Sequence, residues 1–168
     1  MLIYHPAFDA SHCAFRILKL FNTLSDIDFL ELDRIKIIDF YIVFPKTMKY
    51  IKYPQNIDSK KIRKELNLIN DTYRPCRNPY LISKKMSIIQ DKVLSILVTN
   101  EYLSFNNLDN SYSKGQKFNQ LSLKSTLFEN SLKYEIEVLV LKFLLTHPIN
   151  NKDGLKDRTS LMEFRYDN

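Results

Sequence analysis

The sequence predicts a mainly α-helical fold with a small β-hairpin, arranged as a winged-helix-like helical domain. Apolar residues recur at helical spacing in several long segments, which are bounded by capping residues or prolines. After residue 101 the spacing changes from about 3.6 residues to about 2, which is the period of a strand. A helix followed by a hairpin is the element order of a winged helix. We therefore expect one α-rich domain over residues 1–168.

The first two helices are predicted at residues 10–23 and 29–44. Asp9 stands at the N-cap position of the first helix, and Asp26 or Asp28 can cap the second. The expected apolar stripes are Phe15, Leu18, Phe21 and Leu24 in the first helix and Leu32, Ile35, Ile38 and Ile42 in the second. Two apolar helices joined by a short polar turn are expected to pack as an antiparallel pair.

Residues 46–79 are predicted to form a connector or an insertion, with one modest helix that begins at Asp58 or Ser59. Basic and aromatic side chains interleave where this segment begins, at Lys46, Lys49, Tyr50, Lys52 and Tyr53. This pattern is found on surfaces that bind nucleic acid, and it would also suit an acidic partner helix.

A third long helix is predicted at residues 84–101, capped by Ser83, and a β-hairpin at residues 102–124. The two strands are expected where apolar and polar residues alternate, around Leu103 and Phe105 and around Leu121 and Leu123. Residues 84–124 would then form the winged-helix-like part of the domain.

Five lysines mark the places where a winged helix would contact phosphate groups. Lys84, Lys85 and Lys92 lie on the predicted helix, and Lys114 and Lys117 lie at the predicted hairpin tip. Solvated lysines in a lysine-rich chain explain the same pattern equally well.

The last helix, predicted at residues 129–146, is apolar on nearly all sides. Such a helix is buried within its own domain or against another subunit. The residues predicted for a partner interface are Leu132, Ile136, Val138, Val140 and Leu144.

Composition excludes several classes of function. With 2 Gly the chain can build neither a glycine-rich phosphate loop nor a dinucleotide fingerprint, so we expect no cofactor of its own. Cys13 and Cys76 form no CxxC pair, so the sequence indicates neither a zinc ribbon nor a disulfide framework and fits a reducing cytoplasm.

The net charge of +6 favours an acidic partner such as nucleic acid, although a biased genome composition would give the same excess. No apolar stretch is long enough to span a membrane.

The segment YHPAFDASHC places His5, Asp9, His12 and Cys13 close together in the sequence. A metal or catalytic site needs such groups to converge, but Pro6 splays the segment and adjacent helical residues point about 100° apart. We therefore favour a helix cap at Asp9. No motif for a nucleophile, a metal or a carboxylate pair appears elsewhere, so no enzyme activity is predicted.

Charged residues at helical positions are expected on solvated faces or in surface pairs. They are Asp33, Asp39, Glu129, Glu135 and Glu137.

The stretches YHPAFDASHCAFRILKL and ELDRIKIIDFYIVFP, within residues 4–45, resemble the middle-component family of bacterial ABC three-component systems. This group includes Lamassu-type antiphage defence. The resemblance implies a small adaptor without enzyme activity, encoded between an SMC- or Rad50-like ABC ATPase and an effector that often carries a nuclease domain. In that case the chain would contact double-stranded DNA as part of the complex.

Two other hypotheses remain from the residues alone. A free-standing winged-helix regulator that binds DNA would explain the helix-hairpin order and the positive charge. A toxin-like enzyme would have to work through His5, Asp9 and His12, and it is the less favoured of the two.

Overall fold

The computed structural model of the chain describes residues 5–24, 29–70, 76–123, 127–128 and 131–163. These residues form a mainly helical fold, as predicted, with a small antiparallel sheet. The sheet has three strands, of which the prediction contained only the two of a hairpin. The α-helices are α1 (Ala10–Thr23), α2 (Leu32–Val43), α3 (Ser59–Asn67), α4 (Pro79–Thr99), α5 (Tyr134–Thr146) and α6 (Leu155–Thr159). The strands are β1 (Leu30–Glu31), β2 (Leu103–Asn106) and β3 (Ser111–Lys114). Three short 3₁₀ helices complete the described elements: η1 (Pro6–Phe8), η2 (Pro45–Tyr50) and η3 (Phe118–Gln120).

The chain divides into two compact units, each made of two stretches of sequence. Unit 1 comprises residues 1–40 and 85–127, and unit 2 comprises residues 41–84 and 128–168. The largest fully buried side chains of unit 1 are Ile17, Leu20, Leu30, Ile35, Ile37, Ile38 and Phe40, and those of unit 2 are Tyr41, Met48, Ile51, Ile62 and Phe128. The segment 46–79 belongs to unit 2 and contains η2 and α3. That residues 1–168 act as a single domain stays a prediction.

Helix α1 has the predicted bounds because Asp9 caps it. The Asp9 carboxylate accepts a hydrogen bond from the His12 backbone N–H at 2.7 Å. The buried face of α1 differs from the predicted stripe, because Phe15 is 47% exposed whereas Cys13 and Ile17 are buried. Residues 15 and 17 lie about 200° apart on a helix, so only one of them can face the core.

Helices α2 and α3 lie close to their predicted positions. The proposed caps of α2, Asp26 and Asp28, lie outside the described residues. Asp58 caps α3, where its carboxylate accepts a hydrogen bond from the Lys61 N–H at 3.0 Å.

Helix α4 begins at Pro79, five residues before the predicted start at residue 84. The Asn78 side-chain oxygen accepts a hydrogen bond from the Leu81 N–H at 3.1 Å, and Pro79 needs no donor in the first turn. The predicted cap, Ser83, is instead buried inside the helix. That prediction was wrong because Asn-Pro is the stronger helix-start signal.

The sheet has the order β1-β3-β2, so β3 lies in the middle. Phe105 of β2 pairs with Tyr112 of β3, which in turn pairs with Leu30 of β1. Asn110 closes the turn in a left-handed conformation with φ of 51°, which an asparagine tolerates. The return strand therefore runs over residues 111–114, and the strand predicted around Leu121 and Leu123 was wrong, since both follow η3.

Helix α5 begins at Tyr134, after the predicted start at residue 129. Residues 129–130, including Glu129, lie outside the described residues. The helix ends at Thr146, where the prediction placed it.

Candidate functional site

The opening histidine-rich segment forms helix caps. The His5 Nδ1 accepts a hydrogen bond from the Ala7 N–H at 3.1 Å at the start of η1, and Asp9 caps α1. His12 lies on the exposed side of α1, while the Cys13 side chain is buried. These positions explain the four residues as local structure, in agreement with the interpretation favoured from the sequence.

The Cys13 thiol is expected to have low reactivity as a nucleophile. Burial, followed by the neighbouring Asp39 carboxylate, raises the pKa of Cys13 to about 12. A thiol with this pKa stays protonated at neutral pH and is a poor nucleophile. Among the described residues, no group of three or more His, Cys, Asp or Glu could hold a metal ion.

The most elaborate polar arrangement of unit 1 surrounds Asp39, which is fully buried. Arg16 approaches its carboxylate with two nitrogens, Nε at 2.6 Å from Oδ1 and Nη2 at 3.1 Å from Oδ2. Gln90 donates its side-chain amide to Oδ2 at 2.7 Å, and the Cys13 Sγ lies 3.9 Å from the same oxygen. The cluster joins α1, α2 and α4 by their side chains.

This cluster fits a structural role better than a catalytic one. Arg16 also donates to the Pro6 carbonyl at 2.9 Å, and Gln90 lies 3.4 Å from the Lys36 carbonyl oxygen. Within the described residues, no buried side-chain nitrogen or oxygen lacks a hydrogen-bond partner. A buried carboxylate whose oxygens are already occupied is poorly placed to exchange a proton with a substrate.

Asp39 was predicted on a solvated face, and this was wrong. It follows Ile35 and Ile38 at helical spacing, so it shares their inward face. Arg16 likewise lies between Cys13 and Ile17 on the inward face of α1. Opposite charges on the inward faces of two helices that are expected to pack together were the signal that could have predicted the pair.

A second buried charge, Lys36, links α2 to α4 in unit 1. Its ammonium donates to the Ser87 hydroxyl at 2.8 Å and forms an ion pair with Asp91 at 2.6 Å. Asp91 is about half exposed, so this pair lies at the boundary between core and solvent. The contacts of Lys36 with Ser87 and Asp91 therefore hold α4 against α2.

The five predicted phosphate-binding lysines lie on α4, at the end of β3 and after the hairpin. Lys84, Lys85 and Lys92 are exposed on α4, but Lys84 belongs to unit 2 and the other two to unit 1.

Lys114 ends β3, and its Nζ lies 5.2 Å from the centroid of the Phe118 ring. Lys117 follows the hairpin and forms an ion pair with Glu101 at 2.6 Å, whose carboxylate raises the pKa of Lys117. Neither lysine is at the hairpin tip, which is formed by residues 107–110.

The five predicted interface residues differ in exposure. Leu132, Ile136, Val140 and Leu144 are buried in unit 2, so the fold of the chain itself accounts for them. Val138 is 45% exposed, on the same helix as Tyr134, which is 80% exposed. We call these two residues the α5 surface.

A second apolar surface lies on the outer face of α4. Ile88 and Ile96 are exposed there, with Lys85 and Lys92 on the same side of the helix. We call these four residues the α4 surface. Large aliphatic side chains that stay exposed on a regular helix often mark a site of contact with another protein.

Charge is distributed unequally between the two units. Unit 1 contains nine Lys or Arg and nine Asp or Glu, a net charge of zero. In unit 2, residues 41–84 contain ten Lys or Arg and three Asp or Glu, a net charge of +7. Residues 128–168 add six basic and seven acidic residues. The positive charge of the chain therefore comes from the segment that contains η2 and α3.

In the described part of the chain, no helix combines the length and the apolar composition needed to cross a membrane.

Comparison with known proteins places this chain in a family. No curated protein and no solved structure matches the chain. Residues 2–167 match the family described as ABC-three component (ABC-3C) system Middle Component 5. The match extends the resemblance first noted in residues 4–45 over almost the whole sequence, and the chain therefore belongs to the Middle Component 5 family of ABC-three component systems.

Proposed function

We propose that this chain is a non-enzymatic adaptor that bridges an SMC- or Rad50-like ABC ATPase and an effector subunit, often a nuclease, in a Lamassu-type antiphage defence complex of the cytoplasm. The observation that carries the proposal is the family match over residues 2–167. A middle component partners with the other components of its system. A chain that partners with other subunits and has no recognisable catalytic motif is best explained as an adaptor.

The two apolar surfaces support this proposal. The α4 surface belongs to unit 1 and the α5 surface to unit 2, so each unit has exposed apolar side chains of its own. A bridging protein needs separate contact sites for its two partners, and buried apolar side chains supply the core of such contacts. We assign one surface to each partner.

The polar groups of unit 1 support an adaptor without chemistry of its own. Asp39 is held by Arg16 and Gln90, and the raised pKa of Cys13 keeps its thiol protonated at neutral pH. His12, which is exposed, lies next to a cysteine that points into the core. None of these groups is arranged as a nucleophile with its base.

DNA contact through α4 and the hairpin would be a secondary part of this function. Lys85, Lys92 and Lys114 are exposed and could approach phosphate groups. Because unit 1 has no net charge, we expect this contact to be weak unless the ATPase supplies most of the binding.

The second candidate function is a free-standing winged-helix regulator. It is favoured by one observation, namely that α4 is followed directly by the β2-β3 hairpin. The zero net charge of unit 1 argues against it, because sequence-independent affinity for duplex DNA depends on positive charge.

Co-expression with the products of the two adjacent genes tests the adaptor proposal. The chain is tagged and purified, and we expect both neighbours to be recovered with it and to elute together in size-exclusion chromatography. A chain that recovers neither neighbour, is a well-behaved dimer and shifts duplex DNA would instead establish the regulator. An ATPase-effector pair that forms equally well without this chain would exclude a bridging role.

A further inference from the structure

We infer that the outer surface of η2 and α3 in unit 2 binds single-stranded nucleic acid, with the Tyr50 ring as the platform for a base and with Lys49, Lys60, Arg63 and Lys64 as contacts for phosphates. We call these five residues the η2-α3 surface. The inference goes beyond the adaptor function and does not depend on it, because it concerns a different surface and a different ligand.

The first observation is the position of Tyr50. Its side chain is 69% exposed at the C-terminal end of η2, although a tyrosine ring gains free energy by burial. The Lys49 ammonium lies 5.0 Å from the centroid of this ring. A cation over one face leaves the other face for a flat, electron-rich group such as a base.

The second observation is the way Arg63 is held. Its Nε donates to the Lys49 backbone carbonyl at 3.2 Å, so a residue of α3 is fixed against the residue that precedes Tyr50. The guanidinium group offers planar donors that bind phosphate oxygens in pairs. A nucleotide contains an aromatic base and an anionic phosphate. The Tyr50 ring and the Arg63 guanidinium group, which are held by the same short segment, can bind one each.

The third observation is the composition of the outer face of α3. Ile62 and Leu66 are buried, so the opposite face carries Lys60, Arg63 and Lys64, all of which are exposed. Lys60 and Lys64 are one turn apart, a distance of about 6 Å along the helix axis, so they can contact neighbouring phosphates. Lys61 is excluded from this set because Glu135 forms an ion pair with it at 2.9 Å.

The combination favours a single strand over a duplex or an acidic protein. Bases in a duplex are stacked on each other, so their faces are not accessible to a tyrosine ring. An acidic peptide would use the cations but not the ring. The net charge of +7 over residues 41–84 provides the long-range attraction for any polyanion, and Tyr50 provides the discrimination.

The test measures binding of a fluorescein-labelled 20-nucleotide oligo-dT to the full-length chain by fluorescence anisotropy. We expect Tyr50→Ala to lower affinity about 5- to 150-fold, which is the range for loss of one stacked base. Tyr50→Phe keeps the ring and should stay within about twofold of the wild type. Tyr134→Ala removes another exposed tyrosine of unit 2 and should leave affinity unchanged. Equal effects of Tyr50→Ala and Tyr134→Ala would overturn the inference.

Charge variants test the phosphate-binding cations separately. Lys60→Glu combined with Lys64→Glu should weaken binding strongly and lower the salt slope of log K by about 0.7 for each phosphate that is no longer neutralised. The matched control is Lys142→Glu with Lys152→Glu, which changes the net charge equally at two other exposed lysines of unit 2. If both double variants weaken binding alike, net charge rather than the η2-α3 surface governs affinity, and the inference fails.

Competition identifies the ligand class. Unlabelled oligo-dT should displace the probe at lower concentration than duplex DNA or poly-glutamate of equal charge. If poly-glutamate competes equally well and Tyr50→Ala has no effect, the surface binds acidic proteins and the inference is wrong. Recovery of the two neighbouring subunits by each variant reports on the adaptor function, so failure of either proposal is distinguishable from failure of the other.

Discussion

Arg16 and Asp39 form a bidentate ion pair, and the Asp39 carboxylate is fully excluded from solvent. A buried pair of this kind contributes little net free energy compared with apolar side chains, but it is costly to break from one side. We expect it to favour one way of packing α1, α2 and α4, because other arrangements would leave a buried charge unpaired.

The first prediction concerns this pair. Arg16→Ala and Asp39→Ala should each lower the free energy of unfolding by about 3–5 kcal/mol, because each leaves an uncompensated buried charge. The double variant Arg16→Met, Asp39→Leu should be less destabilised than either single one. Urea unfolding followed by circular dichroism measures all three.

The matched control for the first prediction is Lys117→Ala, which removes an ion pair of the same 2.6 Å length that is exposed to solvent. It should cost clearly less than Arg16→Ala. Equal losses from the exposed and the buried pair would show that burial does not determine the cost.

The second prediction concerns the two thiols. Because the pKa of Cys13 is raised to about 12, its folded thiol should resist a maleimide at pH 7.5 while the partly exposed Cys76 reacts. Mass spectrometry should show one label on the native chain and two after denaturation. Rapid labelling of Cys13 in the native chain would contradict the buried position that the structure gives it.

The same shift has a consequence at alkaline pH. A thiol whose pKa is raised on folding stabilises the folded state at pH values below the unfolded pKa of 9.0, and this contribution is lost as pH rises toward 12. Cys13→Ala should therefore flatten the decline in stability over this range. Cys76→Ala is the control, because burial also raises the pKa of the Cys76 thiol but this residue is only partly buried.

The third prediction concerns Gly115, which follows β3. A Cβ atom at this position would lie 2.3 Å from the Glu101 carbonyl oxygen, and a backbone atom cannot move away as a flexible side chain can. Gly115→Ala should lower the free energy of unfolding by about 1–3 kcal/mol. Gln116→Ala, at the next and exposed position, should have little effect in the same denaturation experiment. Comparable stability of the two variants would refute the close approach.

The fourth prediction concerns the apolar surfaces and applies to the proposed adaptor. Ile88→Asp with Ile96→Asp should abolish recovery of one neighbouring subunit while Val138→Asp affects the other, since a buried unpaired carboxylate in an interface is costly. Thermal unfolding of the isolated variants should stay close to the wild type because these positions are exposed. Loss of the same single partner by both variants would contradict the assignment of one surface to each partner.

Local signals in the sequence predicted the helices well where one capping group was available. Asp9 determined where α1 begins, and Asp58 was one of the two caps offered for α3. The start of α4 was predicted at Ser83 although Asn78-Pro79 is the stronger start signal, and in the structure Asn78 caps the helix while Ser83 is buried inside it.

Long-range interactions account for what the sequence did not predict. Alternation at Leu121 and Leu123 resembles a strand, but the strand partner of β2 is chosen by the turn at Asn110 and by pairing with β1. The buried position of Asp39 does not follow from the α2 sequence alone, because its partner Arg16 lies on α1. Of the η2-α3 surface, the interleaved pattern in the sequence included only Lys49 and Tyr50. The contribution of α3 could not be predicted, since α3 must fold against η2 before Arg63 meets Lys49.

The pairing of Leu30 with Tyr112 has a consequence for synthesis on the ribosome. Each unit combines an early and a late stretch of the chain, so neither can be completed until much of the sequence has been translated. The apolar faces of α1 and α2 emerge long before α4 and β3 are available to cover them. Contacts between residues far apart in sequence also slow folding. The nascent chain therefore passes through a stage in which exposed apolar helices can be captured by a chaperone.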